Sequence, residues 1–179
     1  MSLIKTKSPY TKELIKSAFW REKSLNDMTR PEWEAICDGC ARCCLHKFIN
    51  DETQTEDFAP TDHIKQGEEI LYTNIGCYLL NDKTCACTQY NKRTELVPDC
   101  VTLTKDNLAD IFFMPPSCSY RRLHENKGLA HWHPLLNNGK KSKMHQLGIT
   151  VRNRVVNESN IDLNDFEDYI VAWPLDSIE

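Results

Sequence analysis

Four cysteines in eight residues, Cys37-x-x-Cys40-x-x-Cys43-Cys44, constrain this chain more than any other feature. Two-residue spacers let a tight loop aim neighbouring sulfurs at one centre, and Gly39 can supply the positive φ such a turn needs. Five more cysteines follow, Cys77, Cys85, Cys87, Cys100 and Cys118, making nine in all. An odd number leaves one thiol over from full disulfide pairing; two four-thiolate sites would likewise use eight and leave one. The N-terminus carries Lys5 and Lys7 but no apolar stretch of the secretory kind, so the default compartment is the cytosol. Thiols are kept reduced there, and clustered cysteines more often bind metal or do redox chemistry than form structural disulfides.

The rest of the composition agrees that such a fold needs cross-links. A chain of 179 residues suits a single domain over 1–179. Leu, Ile, Val and Phe number 41, about 23%, only slightly above the ~20% that flags disorder. The core is therefore thin, and bound metal would fasten it. A net charge of -4 and a pI near 5.9 argue against a nucleic-acid binder acting by general attraction. No apolar run approaches the ~18 residues of a membrane span, so no membrane partner is expected.

These features predict a small, irregular, metal-stapled α+β domain with short helices and a few short antiparallel strands. Leu14, Ile15, Ala18 and Phe19 recur at helical spacing, giving a helical arm over 1–28. Thr29-Arg-Pro-Glu32 reads as a capping box for a short helix that delivers the chain to Cys37. The acidic stretch 51–69 reads as a surface loop. Residues 70–89 look β-rich, with a turn at Asn81-Asp82-Lys83. Short helices are expected over 104–113 and 117–126, the second with Ser117 as N-cap and Gly128 as C-cap. Ile149, Val151 and Val155 suggest a strand, and Leu163, Phe166, Ile170 and Trp173 an amphipathic last helix.

All nine cysteines are candidate metal ligands, although Cys118, on a predicted helix, also reads as a packing thiol. Neighbouring side chains diverge, so Cys43-Cys44 is expected to serve two metals or one multi-iron cluster rather than a single tetrahedral ion. In an extended segment Cys85 and Cys87 share a face, and the turn at 81–83 would bring Cys77 near Cys85. Structural zinc favours paired C-x-x-C knuckles. Bacterial iron–sulfur loops use C-x-x-C-x-x-C followed by x-x-x-C-P, and only the first three positions match here. His46 can replace a thiolate, and His131-Trp-His133 can pair on one face, though a hydrogen-bonded or core-turn role is the simpler reading of each. Arg93, Arg121 and Arg122 can offset thiolate charge. Gly139-Lys-Lys-Ser-Lys143 is a small basic patch. No nucleophile elbow, P-loop or dinucleotide fingerprint occurs.

The Phe19-Trp20, Trp33-Glu34 and Cys37-to-Lys47 run resembles the YcgN-like bacterial cysteine-cluster family. So do Cys77-x7-Cys85-x-Cys87-x-x-Tyr90, Pro98-Asp99-Cys100, Cys118-x-Tyr120-Arg121 and Trp132-His133-Pro134-Leu135. The resemblance extends from about Phe19 to about Val155. It implies a zinc- or iron-chelating domain of the CxxCxxCC type, with all nine cysteines, His46, His133 and His145 on family positions. It also implies a cysteine core shared with flagellin lysine methylases. The acidic segment looks longer than in the family, and His131 is not a family position. The leading expectation is a cytosolic protein whose thiolates from both halves chelate an iron–sulfur cluster or zinc, protein partner unnamed. A cluster-dependent modifying enzyme, a thiol-redox switch using Cys43-Cys44 or Cys85-x-Cys87, and metal trafficking are the alternatives.

Overall fold

A computed structural model describes residues 8–50 and 69–176. The arm opens with α1 (Lys12–Ser17), where Thr11 accepts from the Leu14 N–H. It is broken at Ala18, whose φ of 49° is left-handed, and continues as short 3-10 turns at Phe19–Arg21 and Leu25–Asp27. Residues 1–7 of the expected arm lie outside the described residues. α2 (Arg30–Ile36) starts at the predicted cap: the Glu32 carboxylate accepts the Thr29 N–H at 2.8 Å and its hydroxyl at 2.9 Å. Lys23 closes the same carboxylate with an ion pair at 2.8 Å.

β1 (Leu45–Asn50) leaves the cysteine run directly and pairs antiparallel with β2 (Glu69–Gly76), Leu45 opposite Gly76. Of the expected acidic loop, 51–68 lies outside the described residues, and Glu69 opens β2 instead of closing the loop. β3 (Leu80–Asn81) and β4 (Ala86–Cys87) form the expected hairpin. β5 (Val156–Asn157) joins β2 in parallel at Ile75–Gly76, the one parallel pairing among the described strands.

α3 (Arg93–Leu96) and a 3-10 helix over Lys105–Phe113, capped by Thr104 and Asn107, lead to α4 (Ser119–His124). α4 is N-capped by Cys118 rather than Ser117, because the Ser117 hydroxyl is taken by Arg42. α5 (Ser142–Gln146) follows. Ile149 and Val151 are buried in a loop instead of a strand; the Val151 N–H donates to the Cys40 carbonyl at 3.1 Å. The last amphipathic helix is broken into 3-10 turns at Leu163–Tyr169 and Trp173–Leu175. Tertiary pairing overrides propensity there. Phe166 stacks on Phe48 at 3.8 Å, Ile170 bridges to Thr73, and the Val171 N–H donates to Tyr72.

The buried apolar residues form three clusters rather than one, as a thin core predicts. The first holds Phe19, Ile36, Ile111, Leu135 and Cys118. The second surrounds Trp132 with Met144, Ile149 and Cys40. The third joins Ala41, Leu45, Leu80, Val151 and Cys85. The segment Ile36–Leu45 contributes to all three, so the cysteine run is where the core meets. No helix among the described residues is long and apolar enough to cross a membrane.

Candidate metal centre

The run from Cys37 to Cys44 is held by side chains that carry no sulfur. Buried Asp38 accepts the Cys40 N–H at 2.8 Å on one oxygen and the Ser119 hydroxyl at 3.0 Å on the other. This Asx-type turn fixes the first C-x-x-C and ties it to α4. Gly39 has φ +68°, the left-handed region that favours glycine, and a Cβ there would push aside the flexible end of Lys141. Ala41 is also left-handed, at φ 64°, and a 3-10 turn over Arg42–Cys44 follows.

Arg42 lies inside the loop with 1% of its surface exposed. Its Nε donates to the Ile149 carbonyl at 2.7 Å. One Nη donates to Pro174 and Asp176 carbonyls at 3.0 Å each and to Ser117 Oγ at 3.2 Å; the other reaches the Gly148 carbonyl at 3.5 Å. Upstream, the Tyr10 hydroxyl donates to the Cys37 carbonyl at 2.6 Å. His133 Nε2 donates to the Ile36 carbonyl at 2.9 Å, while Nδ1 accepts the Leu135 N–H at 3.0 Å. Asp38 and Arg42 are not legible as framework residues from the sequence. The signal that could have found them is their place in the x-x spacers, which are normally small or solvent-facing.

All nine cysteines are free thiols. The Cys43 and Cys44 sulfurs stand 4.0 Å apart, so these neighbours do not diverge as expected. The Cys77 N–H donates to the Cys44 carbonyl at 3.0 Å, which brings the second cysteine group to the first. Cys43 is the hub: Cys37, Cys40, Cys44, Cys100 and Cys118 all feel its charge. Cys77 in turn feels Cys87 and Cys100. The S–H of Cys44 donating to Cys43 draws Cys43 down to about 7 and pushes Cys44 well up. Loss of solvent raises Cys37, Cys40 and, to about 12, Cys118; the Asp38 charge adds to all three.

Cys85 stands apart. Its φ of 52° is left-handed rather than extended, so it does not share a face with Cys87. The buried thiol donates to the Asp82 carbonyl at 3.7 Å and faces Thr150, inside the third apolar cluster. Eight thiols are therefore linked by charge influence, directly or through a neighbour, and Cys85 has its polar contacts elsewhere.

Cationic groups sit where thiolates would need them. Half-buried Lys47 donates to the Cys43 and Leu45 carbonyls at 3.1 and 3.0 Å. Burial lowers its ammonium, and Cys43, Cys44, Cys100 and Cys118 oppose that shift. Of the three arginines expected to help, Arg93 does: its charge favours the Cys100 thiolate, while its Nη donates to the Tyr90 carbonyl at 2.8 Å and its guanidinium lies 4.0 Å from the Tyr90 ring centroid. The Arg121 guanidinium instead takes Glu125 and the Phe112 and Met114 carbonyls, and Arg122 takes the Gly128 and Lys127 carbonyls. The histidines are likewise engaged elsewhere. His46 meets Glu158 at 2.5 Å and His145 meets the Thr150 hydroxyl at 2.9 Å. Among the described residues no group of three or more His, Cys, Asp or Glu is closed round one ion. Ligation therefore needs the sulfurs to swing together. The donor set fits a thiolate-held metal on chemistry: soft sulfurs from four stretches, Lys47 beside them, and a loop fixed by backbone and side-chain bonds.

His133 gives a pH prediction. Burial holds its imidazole below the ordinary value, with the Asp38 charge opposing only in part. The unfolded chain then binds the proton first as pH falls. The contribution of neutral His133 is complete above about 6.5 and is lost as pH drops through the lowered folded value. The unfolding free energy of the wild type, from urea titrations, should fall between pH 7.5 and 5.5 by up to about 1.4 kcal/mol per pH unit more than that of His133→Gln. Parallel curves for the two proteins would contradict this.

The CxxCxxCC family, described as "Putative zinc- or iron-chelating domain", matches residues 36–119. A UPF0260 protein of Shewanella denitrificans is 45% identical over 162 residues, covering 90% of this chain and 99% of the relative. One from Rhizobium etli is 43% identical over 157 residues, 88% of this chain and 90% of its own length. One from Vibrio vulnificus is 43% identical over 160 residues, 89% and 99% respectively. No solved structure matches significantly.

Proposed function

The chain belongs to the UPF0260 family of cysteine-cluster proteins, and on that footing we propose that it is a metal-binding protein with an iron–sulfur centre. The observation that carries the reading is the 4.0 Å approach of the Cys43 and Cys44 sulfurs, with Cys77 tied to the Cys44 carbonyl, with Cys37, Cys40, Cys100 and Cys118 within reach of the Cys43 charge, and with Cys85 left out. The other eight thiols divide naturally into two sets of four. Cys37, Cys40, Cys43 and Cys118 share the influence of Asp38. Cys44, Cys77, Cys87 and Cys100 are linked through Cys77. The first set supplies C-x-x-C-x-x-C plus a remote fourth thiol, a ligand pattern suited to a [4Fe–4S] cluster. Such a cluster would supply an anionic, electron-accepting centre. The protein's part is to fix the loop through Asp38 and Arg42 and to set Lys47 and Arg93 against the negative charge.

Zinc is the second reading; there the Cys43 and Cys44 sulfurs, 4.0 Å apart, would share one ion, and the division into the two sets above belongs to the cluster reading alone. Zinc–sulfur bonds of ~2.3 Å place tetrahedral sulfurs just under 4 Å apart. Anaerobic purification with metal, inorganic sulfide and visible absorption measurements separates the two. Iron with equimolar sulfide and a brown colour is expected. A colourless protein with two zinc ions per chain would replace the cluster by zinc, and a protein that takes up neither would overturn metal binding.

A further inference from the structure

Residues 126–157 hold six of the chain's 22 Lys and Arg and none of its 26 Asp and Glu. The remainder has 16 cationic against 26 anionic side chains, a net charge of -10. The overall charge of -4 therefore hides a strong segregation. Lys127 is neutralised by Glu125 at 2.6 Å. Lys140, Lys141, Lys143, Arg152 and Arg154 have no carboxylate partner among the described residues.

These five surround α5 and the loop behind it. Lys141 and Arg152 both press on the His145 ring and both reach the neighbourhood of Cys85. The Lys143 ammonium donates to the His131 carbonyl at 3.4 Å. Arg154 donates to the Gly148 carbonyl at 2.7 Å and lies 4.1 Å from the Trp173 ring centroid. The segment is fastened to the back of the cysteine run: Lys141 donates to the Gly39 carbonyl at 3.1 Å, Val151 to that of Cys40, and Arg42 to that of Ile149. Exposed Leu136 adjoins it.

We propose that this basic face is the docking surface for a protein partner bearing a carboxylate-rich patch. Unpaired cations of one sign on a rigid face steer and orient an oppositely charged partner. A protein fits better than a nucleic acid for two reasons. A long polyanion would run beyond the patch onto a surface whose described residues carry a net charge of -6, within the ~8 Å reach of unscreened charge. The patch also lacks exposed Phe, Tyr or Trp on which bases would stack; its exposed large apolar side chain is Leu136, which suits an interface centre. A partner seated here lies against the carbonyls of Gly39 and Cys40, directly behind the thiols, whichever metal they take.

The test titrates the 15N-labelled full-length protein at low salt with a synthetic glutamate-rich peptide and, separately, with a short DNA duplex. The peptide is expected to shift amides around Lys140–Lys143 and Arg152–Arg154. It should lose about tenfold in affinity in K140E/K143E/R152E, which spares Lys141 because that ammonium holds Gly39. K12E/K16E, a double charge reversal on exposed α1, should bind the peptide like wild type. Unchanged affinity in the triple variant, equal weakening in K12E/K16E, or tighter binding of the duplex than of the peptide would each overturn the proposal. The milder K140A/K143A variant keeps the test valid if charge reversal unfolds the chain, with a smaller loss of affinity expected and none overturning it.

Discussion

Replacing Arg42 by Ala is expected to cost the fold about 3–5 kcal/mol, a large part of the 5–15 kcal/mol that holds a domain of this kind together. The expectation follows from what the guanidinium does. It supplies donors to the carbonyls of Ile149, Pro174, Asp176 and Gly148 and to Ser117 Oγ, from a position with 1% exposure. Ala leaves the buried acceptors, the Ile149 and Pro174 carbonyls and Ser117 Oγ, in a cavity with nothing to bond. It also releases the C-terminal turn at Trp173–Leu175, which reaches the cysteine run through the same group and through Trp173, 5.4 Å from the guanidinium carbon. Arg42→Lys separates hydrogen bonding from charge. A single ammonium cannot span Ile149 on one side and Pro174 on the other, so less than half the loss should be recovered. Urea midpoints of the two variants measure this. A wild-type midpoint for Arg42→Lys would show that the charge alone matters.

What could be read from the sequence and what could not divide along a physical line. Local chemistry was legible. The Thr29–Glu32 cap, the positive φ at Gly39 and the hairpin after Cys77 depend on residues a few positions apart, and the structure has them. The membership in a cysteine-cluster family was legible too, because spacing between sulfurs survives as pattern. Contacts across the chain were not. β1 follows straight from the Cys44 turn, and its residues Leu45–Asn50 acquire strand geometry only by pairing with β2. The predicted helix through Leu163, Phe166, Ile170 and Trp173 has the right period, yet the Phe48–Phe166 stack and the Thr73–Ile170 bridge claim its residues singly. His133 was legible as special but not as what it is. Both its nitrogens are spent on the backbone at Ile36 and Leu135, so it holds the approach to Cys37. Arg42 was invisible because an arginine in a C-x-x-C spacer ordinarily faces water.

Cys43 and Cys85 should respond to substitution in opposite ways. Cys43 joins the two sets of thiols, since Cys37, Cys40, Cys44, Cys100 and Cys118 are all within reach of its charge. Cys43→Ala removes the sulfur closest to Cys44 and should cut retained metal at least tenfold, with stability falling in step because metal binding and folding are coupled. Cys43→Ser, which keeps the size but is a poor ligand, should behave the same way and guards against a mere packing effect. Cys85→Ala should retain the full metal complement and cost only about 1 kcal/mol, the loss of a small side chain from the cluster of Ala41, Leu45, Leu80 and Val151. Metal per folded chain and thermal midpoints, measured together on anaerobically purified proteins, distinguish the two kinds of cysteine. If Cys85→Ala lost as much metal as Cys43→Ala, the ninth thiol would have to turn out of its apolar cluster and join the others, and the division into two sets of four would fail.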